Sequence, residues 1–235
     1  MGDFKERYIF TQEEITYLKK LKNHKNYSHK KWDDLDDKPL NKIKDNIRKF
    51  YRSLQENKCY YCKKYLSMRT ASDCQIEHIL PKSSFINFMF ESKNLCLICA
   101  DCNQYKGAEI DRIIDNEKII RYPSISNRFK IVHPAYDCYK DYIKVEGKFY
   151  HGLDDCRKGK GSNTINVYRL TRQLDTSKYD PEYYTEPTFL QNAARLSGKG
   201  NGAAIVDMLA SEASTLSNED KLKLIQRLTS DILKE

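Results

Sequence analysis

Apolar residues along this chain switch between two spacings. Ile43, Ile47, Phe50, Tyr51 and Leu54 recur four, seven, eight and eleven residues after the first. That spacing predicts a helix over 41–57 with one apolar face, and Arg48, Lys49 and Arg52 fall on its other faces. Upstream, Thr11-Gln12-Glu13-Glu14 has capping-box spacing and leads into a stripe of Ile15, Leu18 and Leu21, the signature of an earlier helix. Between the two lies Trp32, followed by Asp33-Asp34-Leu35-Asp36-Asp37, read as a loop with a helix-starting Asp. Gln75-Ile76 and Ile79-Leu80 flank Glu77-His78 as a short strand that Pro81 ends, because proline cannot donate to a ladder and restricts its predecessor. The aromatic run Phe85–Phe90 predicts a helical turn covering a hairpin, and Asn94–Ile98 its second strand.

The second half is less regular. Ile113-Ile114 and Ile119-Ile120 suggest a short helix and then a strand. Tyr142–Val145 and Lys148–Tyr150 flank Glu146-Gly147 as a hairpin. Arg157-Lys158-Gly159-Lys160-Gly161-Ser162 reads as a basic loop and lacks the first glycine of a P-loop. A helix entered through Ser162 or Asn163 then carries Thr164–Leu170. The stretch 175–188 is polar, with Pro181 and Pro187. A last helix, capped near Ser217, lines up Leu222, Leu224, Ile225, Leu228, Ile232 and Leu233 on one side. These elements predict an α+β protein in four regions: a helical 1–57, a core at 58–110, an α/β extension at 111–175 and a helical 176–235.

Of the 235 residues, 40% are hydrophobic and 31% charged, a balance that excludes wholesale disorder. The net charge of +8 points to an anionic partner, most economically nucleic acid. No apolar run reaches the roughly eighteen residues needed to cross a bilayer, and the N-terminus lacks the apolar stretch of a signal peptide. The expected location is the cytoplasm, without a membrane partner.

The eight cysteines sharpen the picture. Cys59-Tyr60-Tyr61-Cys62 and Cys99-Ala100-Asp101-Cys102 form two Cys-x-x-Cys pairs, which can offer four thiolates to one tetrahedral Zn²⁺. Four protein thiolates leave no open position, so such a zinc is structural. Cys74, Cys96, Cys138 and Cys156 are irregularly spaced and are expected as buried free thiols.

Between the pairs stand Glu77-His78 and Asn94, with Asn103 directly after the last cysteine. Neighbours in a strand point to opposite faces, so Glu77 and His78 can serve one site only where the strand ends or bends. A carboxylate and an amide oxygen suit a hard ion such as Mg²⁺ or Mn²⁺, and a neutral imidazole beside it suits a general base. His24 and His29 are expected to be exposed, His133 to be structural and His151 to lie on a hairpin surface.

This order of Cys-x-x-Cys, acid-His, Asn and Cys-x-x-Cys-Asn-x-x-Lys-Gly resembles the HNH endonucleases, and within them the subgroup whose ββα-metal core is clamped by a zinc on four cysteines. The resemblance implies that His78 deprotonates water and that Glu77 and Asn103 hold the catalytic metal. It further implies that Asn94 orients the His78 ring and that Lys106 lies near phosphate. The succession of His133-Pro134, a hairpin, Gly159-Lys160-Gly161 and a helix more loosely resembles bacterial nucleases of the PtuB type. That likeness implies anti-phage defence with an ATPase partner, sometimes with a retron, and makes the C-terminal stripe a docking element. The expectation is a metal-dependent phosphodiesterase acting on nucleic acid, DNA favoured, with Lys82, Lys106, Arg157, Lys158 and Lys160 as candidate contacts. An RNA or tRNA nuclease would use the same site. A zinc-finger binding module or a structural interaction protein would lack the metal-dependent chemistry.

Overall fold

Thr11 starts the first helix as its sequence demands. In the computed structural model, which describes residues 2–107, 110–115, 119–146, 149–153 and 159–172, Thr11 Oγ1 accepts from the Glu14 amide while Glu14 accepts from the Thr11 amide. Helix α1 (Gln12–Lys22) follows. A 3₁₀ turn at His29–Asp33 buries Trp32. Helix α2 (Lys38–Leu54) begins three residues before the expected start. Asp37 Oδ1 accepts from the Leu40 amide at 3.0 Å, and Pro39 is tolerated in the first turn, where no amide is needed. The helix stops at Leu54, short of Asn57, because Glu56 and Asn57 take positive φ angles of 50° and 58°.

Helix α2 buries Leu40, Ile43, Ile47 and Tyr51 and packs on both strands of an antiparallel pair, β1 (Gln75–His78) and β2 (Leu95–Ile98). The register sets Gln75 opposite Ile98 and His78 opposite Leu95. Gln55, just past α2, donates to the Leu97 carbonyl at 2.9 Å and accepts from the Leu97 amide at 2.7 Å. A side chain thereby satisfies the outer edge of β2 as a third strand would. Helix α3 (Ala100–Lys106) follows β2 after a single residue and contacts β1. Gly107, at φ 59°, ends it.

The connection 79–94 is held by two 3₁₀ turns, Ile86–Phe88 and Ser92–Asn94, with Phe88, Met89 and Phe90 buried as the aromatic run predicts. Farther on, Ile113, Ile114, Ile131 and Val132 are buried, and Ile114 forms an isolated bridge with Phe129. Among the described residues no strand forms at Ile119-Ile120, and Ile120 is 74% exposed. Asp3 returns the N-terminus to this body by accepting from Tyr60 Oη at 2.9 Å and the Tyr139 amide at 3.0 Å.

The chain divides into two compact units, Met1–Tyr139 and Lys140–Glu235. The elements above belong to the first. In the second, β3 (Ile143–Glu146) and β4 (Phe149–Gly152) pair antiparallel, the expected hairpin. Helix α4 (Lys160–Val167) packs on β4. It starts at Lys160, ahead of the expected entry, so the end of the basic run is helical rather than loop. Gly161, Thr164, Ile165 and Val167 are its buried positions. His151 is buried beside Glu146, with Nε2 3.2 Å from the carboxylate, and is not a surface residue. The fold is thus mixed α and β, with four α-helices and two small antiparallel sheets among the described residues. No helix there is long and apolar enough to cross a membrane. Cys156, Arg157, Lys158 and the C-terminal apolar stripe lie outside the described residues.

Candidate functional site

The four cysteines of the two pairs converge. Cys59 to Cys62 is a tight turn in which the Lys63 amide donates to the Cys59 carbonyl at 3.0 Å, with Lys63 at φ 57°. Cys99 precedes the first residue of α3, and Cys102 lies in its first turn. All four are buried, their sulfurs lie within 4.8 Å of one another, and Cys62 Sγ is 3.6 Å from Cys99 Sγ. A tetrahedral zinc with ~2.3 Å bonds separates its sulfurs by roughly 3.8 Å, so the cluster fits that ion. A disulfide does not fit, and the cysteines are free. Cys74 and Cys96 are buried free thiols as expected, whereas Cys138 is only half-buried.

Beside this cluster, the end of β1, the start of the 79–94 connection and α3 wall a cleft of about 470 Å³. Glu77, His78, Lys82, Asn103 and Lys106 line it, joined by Trp32, Asp33, Lys44, Arg48 and Gln75. Glu77 and His78 reach one cleft despite being neighbours because β1 ends at His78 and Pro81 follows. His78 Nε2 donates to the Met89 carbonyl at 3.0 Å. In the neutral ring Nδ1 is then the unprotonated nitrogen. The Trp32 ring meets the His78 ring edge-on, with centroids 4.4 Å apart and planes at 81°. Burial, with the charges of Lys82 and Lys106, lowers the imidazole pKa to about 3, so the ring is neutral near pH 7.

Asn103 sits in the middle of α3. Its Nδ2 donates to Gln75 Oε1, which leaves Oδ1 as the atom able to meet a cation. Glu77 is buried and ion-paired with Lys106, whose Nζ also donates to the His78 carbonyl. A carboxylate and an amide, Glu77 and Asn103, thus line one cleft, and both are donor types that hard cations take. Among the described residues, the cysteine cluster is the group of three or more His, Cys, Asp or Glu side chains close enough to share an ion.

Two expectations change in detail. Asn94 does not touch the His78 ring. It is fully buried, its Oδ1 accepts from the Leu80 amide at 2.7 Å, and its Nδ2 donates to the Leu80 and Phe88 carbonyls, each at 3.1 Å. Its side-chain hydrogen bonds go to the loop that carries Met89 and not to the ring. Lys106 is buried against Glu77 rather than extended toward solvent. Lys82 pairs with Asp33 at 3.3 Å on the cleft wall, and in the second unit Lys160 Nζ lies 5.6 Å from the Tyr142 ring centre. His133 is fully buried, with Nε2 2.8 Å from Tyr122 Oη, in keeping with a structural role. His24 is exposed but His29 only half so.

Sequence reasoning missed Trp32, Lys44 and Arg48. Lys44 Nζ donates to the Trp32 carbonyl at 3.0 Å and lies 5.7 Å from its ring centre. The available signals were a lone tryptophan and two cations four apart on one face of α2.

No protein-family model matches the chain, and no solved structure matches it. The chain is similar to Septu protein PtuB of Bacillus thuringiensis, with 29% identity over 129 residues, 54% of this chain and 41% of that protein. It therefore spans less than half the length of the relative it matches.

Proposed function

We propose that this chain is an HNH-type endonuclease with a ββα-metal core, cleaving phosphodiester bonds in nucleic acid, DNA favoured. The observation that carries the reading is the single cleft into which β1 brings Glu77 and His78 and α3 brings Asn103, ringed by Lys44, Arg48, Lys82 and Lys106. His78 takes a proton from the attacking water through Nδ1, while the Met89 carbonyl holds the ring by its other nitrogen. A pKa near 3 is low for a base, but a bound phosphodiester brings negative charge beside the ring and raises it. Mg²⁺ or Mn²⁺, held by Glu77 and Asn103, would stabilise charge developing on the phosphate. The cysteine-bound zinc fastens the turn, the hairpin and α3 together. Contacts to backbone phosphates make binding salt-dependent and weakly selective for sequence.

The likeness to a Septu protein and the order of motifs support a role in anti-phage defence beside an ATPase partner. Incubation of the zinc-loaded protein and Mn²⁺ with labelled duplex, single-stranded DNA and tRNA tests the reading. Cleavage of duplex supports it, and cleavage of tRNA alone moves the same site to RNA. No cleavage of any substrate, even with a partner ATPase, leaves a zinc-fastened binding module.

A further inference from the structure

We infer that Lys106 is a built-in competitor of the divalent ion for Glu77, so that metal is held firmly only when a phosphate enters the cleft. The inference rests on the nuclease reading and concerns the loading of that site.

Lys106 and Glu77 form an ion pair in which both side chains are almost fully buried. The ammonium is further anchored on the His78 carbonyl. It comes from the last residue of α3, one turn beyond Asn103, and both residues line the same cleft as Glu77. A divalent ion on Glu77 and Asn103 would therefore stand next to a fixed positive charge, and like charges at such separations repel strongly. Displacing the ammonium instead strands a buried cation without its partner. The rest of the cleft adds to the opposition. Its lining holds Lys44, Arg48, Lys82 and Lys106 against two carboxylates, Asp33 and Glu77, and Lys82 already engages Asp33. Such a lining repels a free divalent ion and attracts a phosphodiester. The phosphate would supply the negative charge that lets the metal stay and give the released ammonium a new partner.

The test is Mn²⁺ binding, measured by electron paramagnetic resonance on the zinc-loaded full chain without nucleic acid. Wild type, Lys106→Met, Lys106→Gln and Glu77→Gln are compared. The Gln variant keeps a donor for the His78 carbonyl and guards against loss of fold. The expected result is weak binding by wild type, at least tenfold tighter binding by either Lys106 variant, and loss of binding in Glu77→Gln. Equal or weaker binding by both Lys106 variants, with Glu77→Gln still lowering it, would overturn the competition while sparing the metal site. Binding indifferent to Glu77→Gln would overturn the metal site itself, and the competition with it.

Discussion

His78 donates through Nε2 to the main-chain oxygen of Met89, 3.0 Å away, and that bond decides which nitrogen is left to act. The two residues are eleven apart in sequence; His78 ends β1, and Met89 lies within the following connection, whose shape depends on other bonds. Long-range ¹⁵N spectra at pH 7 are expected to show His78 as the neutral Nε2-protonated tautomer. An imidazolium at that pH, or the Nδ1-protonated form, would contradict the assignment of Nδ1 as the base.

That loop is closed by Asn94. Its three hydrogen bonds to the Leu80 and Phe88 backbone are buried, and Asn94→Ala strands the groups at their far ends. Each stranded group costs roughly 1–3 kcal/mol, so we expect a loss of about 3 kcal/mol in denaturant unfolding. Catalysis should fall with it, because Met89 would no longer be fixed. A variant as stable as wild type would show that the loop holds itself.

The sulfur cluster predicts one zinc per chain by elemental analysis. Metal binding by such sites is coupled to folding, and here it joins the 59–62 turn to the start of α3. A chelator strong enough to strip zinc, or Cys62→Ala, should abolish the cooperative thermal transition of the first unit. Retention of that transition without zinc would show that α2 and the hairpin suffice alone.

Glu14 gives a prediction in acid. Burial would raise its pKa, but hydrogen bonds from Asn46, the Thr11 amide and Tyr8 outweigh burial and hold it below the ordinary carboxylate value. A depressed folded-state pKa means that the unfolded chain binds the proton more readily. The contribution of Glu14 is therefore complete above the ordinary carboxylate pKa and is lost as pH falls through the lowered value. Glu14→Gln keeps a capping-box acceptor but replaces hydrogen bonds to a charged group with neutral ones, so it should cost about 1 kcal/mol at pH 7, and the gap to wild type should close across that acid window. A gap independent of pH would mean that the charge contributes nothing.

Much of this was legible from residue order. The doubled Cys-x-x-Cys, the strand broken after His78 and the period of α2 are local patterns, and local physics sets them. What escaped was long-range. Gln55 completing the edge of Leu97 joins residues 42 apart, and no spacing rule signals it. Trp32 against His78 depends on how a 3₁₀ turn packs beside α2. The aspartates that follow Trp32 signal charge and not a buried ring. At Lys106 the sequence shows a cation but not the buried carboxylate that holds it. At His151 a hairpin pattern does not say which face another element covers.

The proposed function depends above all on proton transfer by the His78 imidazole in a cleft distinct from the cysteine cluster. The most direct measurement is cleavage of supercoiled plasmid by wild type and by His78→Ala, both carrying one zinc, with Mn²⁺ and with and without a partner ATPase. Wild type should cut, and the variant should lose at least about a hundredfold at unchanged zinc content and melting temperature, the scale expected for a general base. Cutting by His78→Ala at the wild-type rate would contradict it.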